Sequence, residues 1–141
     1  MNLGASPAPR GWLAGPSLTL FTLLVFGALV FGAVELRSQQ RADDVARTLT
    51  GGDPDRAPVW IRRYGCGGCH TIPGLGGADG QVAPPLDHLR QRVFIGGVRH
   101  TPDNLVRWIV APQAFSPHAA MPATGIDEAQ ARDVAAYLYA H

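Results

Sequence analysis

No titratable side chain occurs between Gly11 and Val34, and within that gap the run SLTLFTLLVFGALVFGAV, Ser17 to Val34, is almost wholly apolar. Its eighteen residues, wound as a helix, cover about 27 Å, close to the thickness of a bilayer's hydrocarbon core. Trp12 stands just before the run, where an interfacial aromatic belongs. The pattern predicts one transmembrane helix near the N-terminus. A cleaved signal peptide is the rival reading, but it calls for a shorter apolar core, a more basic start and a small-x-small cleavage site. Arg10 is the one early side-chain cation, and FGAVELRSQ offers no good cleavage site.

After Val34 the pattern changes. Ala42, Val45, Ala46 and Leu49 recur at i, i+3, i+4 and i+7, a helical stripe, and Asp43 can pair with Arg47 one turn on. Gly51 and Gly52 read as a helix stop. Residues 1–16 are then a Pro/Gly-rich tail, 17–36 an anchor, 37–53 a helical stalk and 54–141 a globular domain.

Three helices are predicted in the domain. The first spans about Asp55 to Tyr64, with Pro58 in its first turn. The second is TPDNLVRWIVAP, with Thr101 as N-cap, Pro102 at the first helical position and Leu105, Trp108 and Ile109 on one face; Pro112 ends it. The third is DEAQARDVAAYLYAH, where Asp127 and Gln130 fit a capping box and Ala131, Val134, Ala135 and Leu138 make the buried stripe. No strand candidate is longer than VFIGGV. The fold class is therefore all-α, a small domain of three main helices preceded by a single transmembrane helix.

Composition refines this picture. Seventeen glycines and twelve prolines among 141 residues predict short helices and many loops. A net charge of +1 gives no polyanion-binding signal. Some ninety loop-rich residues build a marginal core without help, so an additional source of buried apolar contact is expected.

Both cysteines lie in RRYGCGGCHTIPG, as Cys66 and Cys69, with His70 directly after. A disulfide oxidoreductase carries Cys-x-x-Cys in a strand-helix-strand setting, which is missing here. A zinc site needs four ligands, and a disulfide across two residues closes almost no loop. Cys-x-x-Cys-His is the attachment signature of c-type haem: the thiols bond to the vinyl groups and the histidine becomes an axial iron ligand. Gly67 and Gly68 add no bulk against the porphyrin edge. One haem c, bound through Cys66 and Cys69, supplies the missing core, and the apo domain should be poorly folded.

The other axial position needs a second ligand. Met121, in the loop SPHAAMPATG, is the only methionine besides Met1, and Met/His ligation suits an electron-transfer haem. His118, three residues away, is the rival. Solvated surface is the default reading for His88, His100 and His141.

CGGCH, PPLDHL, MP and a closing helix with AAYLY together resemble a class I cytochrome c, over about residues 55–140. RVFIGGVRHTPDNLVRWIVAPQAFSPHAAMP is similar to the cytochrome c domains associated with haem-copper oxidases, including the tail of subunit II in caa3-type enzymes. The copper-binding domain of subunit II is absent. The resemblance implies the cytochrome c fold, one covalent haem, and an electron carrier that makes and breaks no substrate bond. It implies that the carbonyl of Pro85 accepts a hydrogen bond from His70 Nδ1–H, and that Arg92 and Trp108 hydrogen-bond the haem propionates. Tyr64 and Tyr137 would pack where the first and third helices cross.

The same resemblance implies a bacterial inner-membrane protein whose haem domain faces the periplasm. It would take electrons from a quinol-oxidising complex or a soluble cytochrome and deliver them to a terminal oxidase. The alternatives are a fixed subunit of an oxidase or nitric oxide reductase, and a gas sensor. The positive-inside rule opposes this orientation weakly, with Arg10 before the run and Arg37, Arg41 and Arg47 after it. Eight arginines balance eight acids from Gly51 to His141, so docking to partners should depend only modestly on salt.

Overall fold

The computed structural model describes residues 15–141. They fall into two units, the first ending at Ser38 and the second spanning Gln39–His141. Most of the tail expected over residues 1–16, with Arg10 and Trp12, lies outside the described residues. A long helix, α1 (Gly15–Thr50), begins in the first unit and ends in the second. In the first unit its leucines, valines and phenylalanines stand exposed on every side. By length and composition this helix is able to cross a membrane. Its polar interruptions are internally satisfied: Thr22 donates to the carbonyl of Thr19 at 2.8 Å.

In the second unit α1 continues unbroken to Thr50, as the stripe from Ala42 predicts. Gly51 ends it in the left-handed conformation (φ +69°), with its N–H on the carbonyl of Arg47 at 2.8 Å. Gly52 is required for a different reason: a β-carbon there would lie 2.0 Å from the carbonyl oxygen of Arg132. Arg47 does not pair with Asp43. Its guanidinium reaches past the helix end to Asp53 (3.1 Å) and Asp55 (2.6 Å), because the turn at Gly51 and Gly52 brings both carboxylates back to it.

The remaining helices are α2 (Ala57–Arg63), the single turn α3 (Cys66–Cys69), α4 (Pro102–Val110) and α5 (Glu128–Ala140), with short 3-10 turns at Leu89–Gln91 and Pro112–Ala114. The caps of α4 and α5 follow the sequence. Thr101 Oγ1 accepts the N–H of Asn104 at 3.1 Å, and Asp127 and Gln130 close a reciprocal capping box. VFIGGV folds as a two-stranded antiparallel hairpin, β1 (Phe94–Ile95) and β2 (Val98–Arg99), turning at Gly96 and Gly97, both at positive φ.

Helix α5 is the centre of the unit, with α2 and α4 packed against it. Its expected stripe is buried, and so are Ala136, Tyr137 and Tyr139, so the helix is enclosed on nearly every side. On α4 it is Val106, with Leu105 and Ile109, that is fully buried, while Trp108 is half-exposed.

The buried carboxylate of Asp133 ties α5 to the chain that enters α2. It accepts the N–H of Asp53 (2.8 Å), a two-pronged bond from Arg56 (3.0 and 2.9 Å) and the indole N–H of Trp60 (3.0 Å). Four charge-assisted donors satisfy a group that burial alone would penalise. Tyr64 donates to Gln130 at 2.6 Å, extending the seam between α2 and α5, and Tyr137 donates to the carbonyl of Pro73 at 2.7 Å, tying α5 to the loop after α3.

Replacing Asp133 with Ala leaves these donors unpaired and should lower stability by roughly 2–3 kcal/mol, read as a drop in urea midpoint, with Asp133→Asn losing less. The hydrogen bond from Arg47, reinforced by the N–H of Asp55, holds the Asp53 carboxyl below the usual aspartate range. A depressed pKa stabilises the fold above the unfolded value, about 3.9, and that contribution disappears as pH falls through the lower folded value. Acid unfolding curves of wild type and Asp53→Asn should therefore diverge in mildly acidic buffer and converge in strong acid.

Candidate functional site

The site starts with a turn. Gly65, left-handed at φ +70°, reverses the chain after α2 and opens α3. One helical turn sets Cys66 and Cys69 at i and i+3, on a common face. Both thiols are free. His70 ends the turn in an extended conformation, with its N–H on the carbonyl of Cys66 at 3.0 Å.

The next fifteen residues fold back over α3. Gly80 N–H meets the carbonyl of Gly67 at 3.0 Å, and Ala83 N–H that of Cys69 at 2.9 Å. The approach is tight enough to exclude side chains: a β-carbon at Gly67 would sit 2.8 Å from Cα of Ala78, and one at Gly80 2.5 Å from the carbonyl of Gly68. Gly67 therefore serves contact with protein. Gly68 has open space around it, as a residue beside a cofactor edge would need.

This loop also orients His70. Its Nδ1 lies 2.7 Å from the carbonyl oxygen of Pro84. A carbonyl only accepts, so Nδ1 carries the proton and Nε2 keeps its lone pair for a ligand. The acceptor expected from the sequence was Pro85. The structure moves the role one residue back, because an extended Pro-Pro pair turns successive carbonyls different ways. The Pro85 carbonyl instead accepts from the guanidinium of Arg92, which also reaches the backbone carbonyl of Asp87 at 3.3 Å. Arg92 thus braces the segment that holds His70.

Met121 is half-buried, and His118 is exposed. Gln113, in the 3-10 turn after α4, fixes their loop by donating to the carbonyls of Met121 (2.7 Å) and Ala119 (3.3 Å). Trp108 lies over the hairpin turn, with its ring atoms 2.0 Å from where a β-carbon at Gly96 would stand, and meets the Phe115 ring edge-on at 6.3 Å. Its ring packs the hairpin onto α4. Arg107 sits 5.0 Å from the centroid of Phe115.

His100 departs from the surface role expected of it. It is half-buried; its backbone N–H meets the carbonyl of Val93 at 2.8 Å, Nδ1 lies 2.9 Å from the carbonyl of Arg92, and the ring tilts against Tyr139 at 5.3 Å. Its Nε2 is fully buried and has no partner among the described residues. No motif marks this residue in the sequence; its neighbours come from a hairpin and from a helix some forty residues on.

Burial, chiefly, pushes the Cys66 thiol up from its usual range. Thiol-disulfide enzymes need the opposite, a lowered pKa that provides thiolate. The arrangement does fit a c-type haem. Two thiols share one face of a turn, the adjacent imidazole presents Nε2, and a buried polar atom awaits a non-protein partner. Apolar Val82, Val93 and Phe94 stand exposed on the loop and hairpin segments that follow.

Neither the curated proteins nor the solved structures contain a match to this chain. A model of the cytochrome c family matches residues 62–140, more than half of the sequence and all of the site just described. The chain belongs to the cytochrome c family.

Proposed function

We propose that this chain is a membrane-anchored monohaem cytochrome that carries single electrons within a respiratory chain, its terminal acceptor a haem-copper oxidase. The observation that carries the redox part is His70, locked by Pro84 beside the paired thiols Cys66 and Cys69. In this reading Cys66 and Cys69 would hold the haem covalently, and His70 Nε2 and the Met121 thioether would ligate its iron. The bound haem supplies a one-electron ferric/ferrous couple, and family members use it to carry electrons rather than to turn over a substrate. The exposure of His118 and the tethering of the Met121 loop by Gln113 favour the thioether as ligand.

Support for the anchor comes from α1, whose apolar side chains stand outward on every side from Leu18 to Val34. A helix of that kind is stable when lipid covers it. Haem attachment outside the cytoplasmic membrane places the domain on the periplasmic side. A free shuttle and a fixed subunit of an oxidase or nitric oxide reductase differ in one observable: stoichiometric partners copurify in detergent only with the fixed subunit.

Two outcomes are expected. The purified protein shows a c-type ferrous spectrum and a far-red ferric sulfur-to-iron band; Met121→Ala abolishes the band and lowers the reduction potential, while His118→Ala changes neither. A spectrum unmoved by Met121→Ala contradicts the ligand assignment. In cell fractions the haem protein stays with membranes through an alkaline carbonate wash and is released by detergent. Release by the wash alone contradicts the anchor.

A further inference from the structure

The loop that carries Met121 is anchored at both ends and held at one point between. At its start, the 3-10 turn of Gln113 packs on α4, and Pro112 is fully buried. Ala114 N–H meets the carbonyl of Ala111 at 3.0 Å, and Ser116 N–H that of Pro112 at 3.0 Å. At its end Ile126 is buried and Asp127 caps α5. The stretch between has little of its own to hold it, and Pro122 brings no N–H. From Ala120 to Ile126 the one hydrogen bond among the described residues is the one that the Gln113 amide donates to the carbonyl of Met121, at 2.7 Å.

The same nitrogen also donates to the carbonyl of Ala119, at 3.3 Å. Both partners only accept, so the amide –NH2 faces them and gives one hydrogen to each. The fork fixes the chain on either side of Ala120, and so the point from which the Met121 side chain departs. Gln113 is itself exposed, so water competes for its donors and the tie is modest and reversible. A segment with a single exposed tie opens locally at low cost. Resting on the reading of Met121 as an iron ligand, we propose that Gln113 is a positioning residue: its two donors keep the thioether on the iron and set how readily a small ligand from solution takes that place.

The exchange balances. With cyanide as the entering ligand, the bond between the Met121 sulfur and the iron breaks and a bond from the cyanide carbon to the iron forms. The proton of hydrogen cyanide passes to water, and no electron moves. Loop opening precedes entry, so whatever holds the loop shut limits the rate. Gln113 thereby separates a closed electron carrier from an open, gas-binding iron.

The test is the rate of cyanide binding to the ferric holoprotein at saturating cyanide, for wild type, Gln113→Glu and Gln113→Arg. The ferric far-red sulfur-to-iron band and the urea midpoint are read on the same samples. Glutamate keeps the shape of glutamine, but as a carboxylate it has no donor for the two carbonyls; arginine keeps a fork of donors. Gln113→Glu should bind cyanide about tenfold faster than wild type, as expected for the loss of two exposed hydrogen bonds, and its far-red band should weaken. Gln113→Arg should stay nearer wild type in both respects. A cyanide rate unmoved in Gln113→Glu, even with a lowered urea midpoint, would make the role merely structural and overturn the proposal. Equal acceleration in both variants would overturn it too, because the donors would then not matter. A wild type that holds haem but lacks the far-red band refutes the Met121 reading and this proposal with it; a wild type with the band, and a Gln113→Glu rate equal to its own, refutes the proposal alone.

Discussion

A hydrogen bond from His70 Nδ1 to the carbonyl of Pro84 sets the chemical identity of this molecule. It selects the tautomer, aims Nε2 outward, and depends on a loop that has to return over α3 to deliver that carbonyl. The return is possible because Gly67 and Gly80 let two backbones touch. Arg92 then braces the Pro-Pro segment from beyond. Sequence, loop closure and ligand geometry form one causal chain, and it fails if any of these contacts is removed.

The second unit arranges its stability around this loop. Helix α5 is enclosed by α2 and α4, and the Asp133 carboxylate accepts from Asp53 and Arg56, in the chain between α1 and α2, and from Trp60 on α2. Those contacts hold α2 against α5. In the loop after His70 and at the hairpin, apolar Val82, Val93 and Phe94 are exposed. In a domain of this size, exposed apolar side chains in the segments that follow two thiols and an imidazole are the form expected of a fold completed by a cofactor.

Local signals were legible in the sequence. Thr101 with Pro102 marked the start of α4, Asp127 with Gln130 that of α5, and Gly51 the end of α1, because caps and stops act over three or four residues. The Cys-x-x-Cys-His motif is local in the same sense. What remained illegible depends on groups far apart in sequence. Asp133 collects Asp53, Arg56 and Trp60 from some seventy-five residues away. Pro84 and Pro85 differ only in which way a carbonyl points. The packing of the Trp108 ring on Gly96 and Phe115 was not visible in the sequence either, and His100, assigned to solvent, has a buried nitrogen without a partner among the described residues. Periodicity marks which face is apolar; it does not say which polar atom is stranded.

The central claim is that Cys66 and Cys69 hold a haem by covalent bonds and that the fold is completed by it. The most direct measurement is the intact mass of the acid-denatured protein produced in cells competent for cytochrome c maturation, alongside the double variant Cys66→Ala/Cys69→Ala. A wild-type mass greater than that of the polypeptide by one haem, with the increment lost when both cysteines are replaced, is the predicted result. A mass equal to that of the bare polypeptide, with both thiols still free to alkylate and the domain folded, would contradict it.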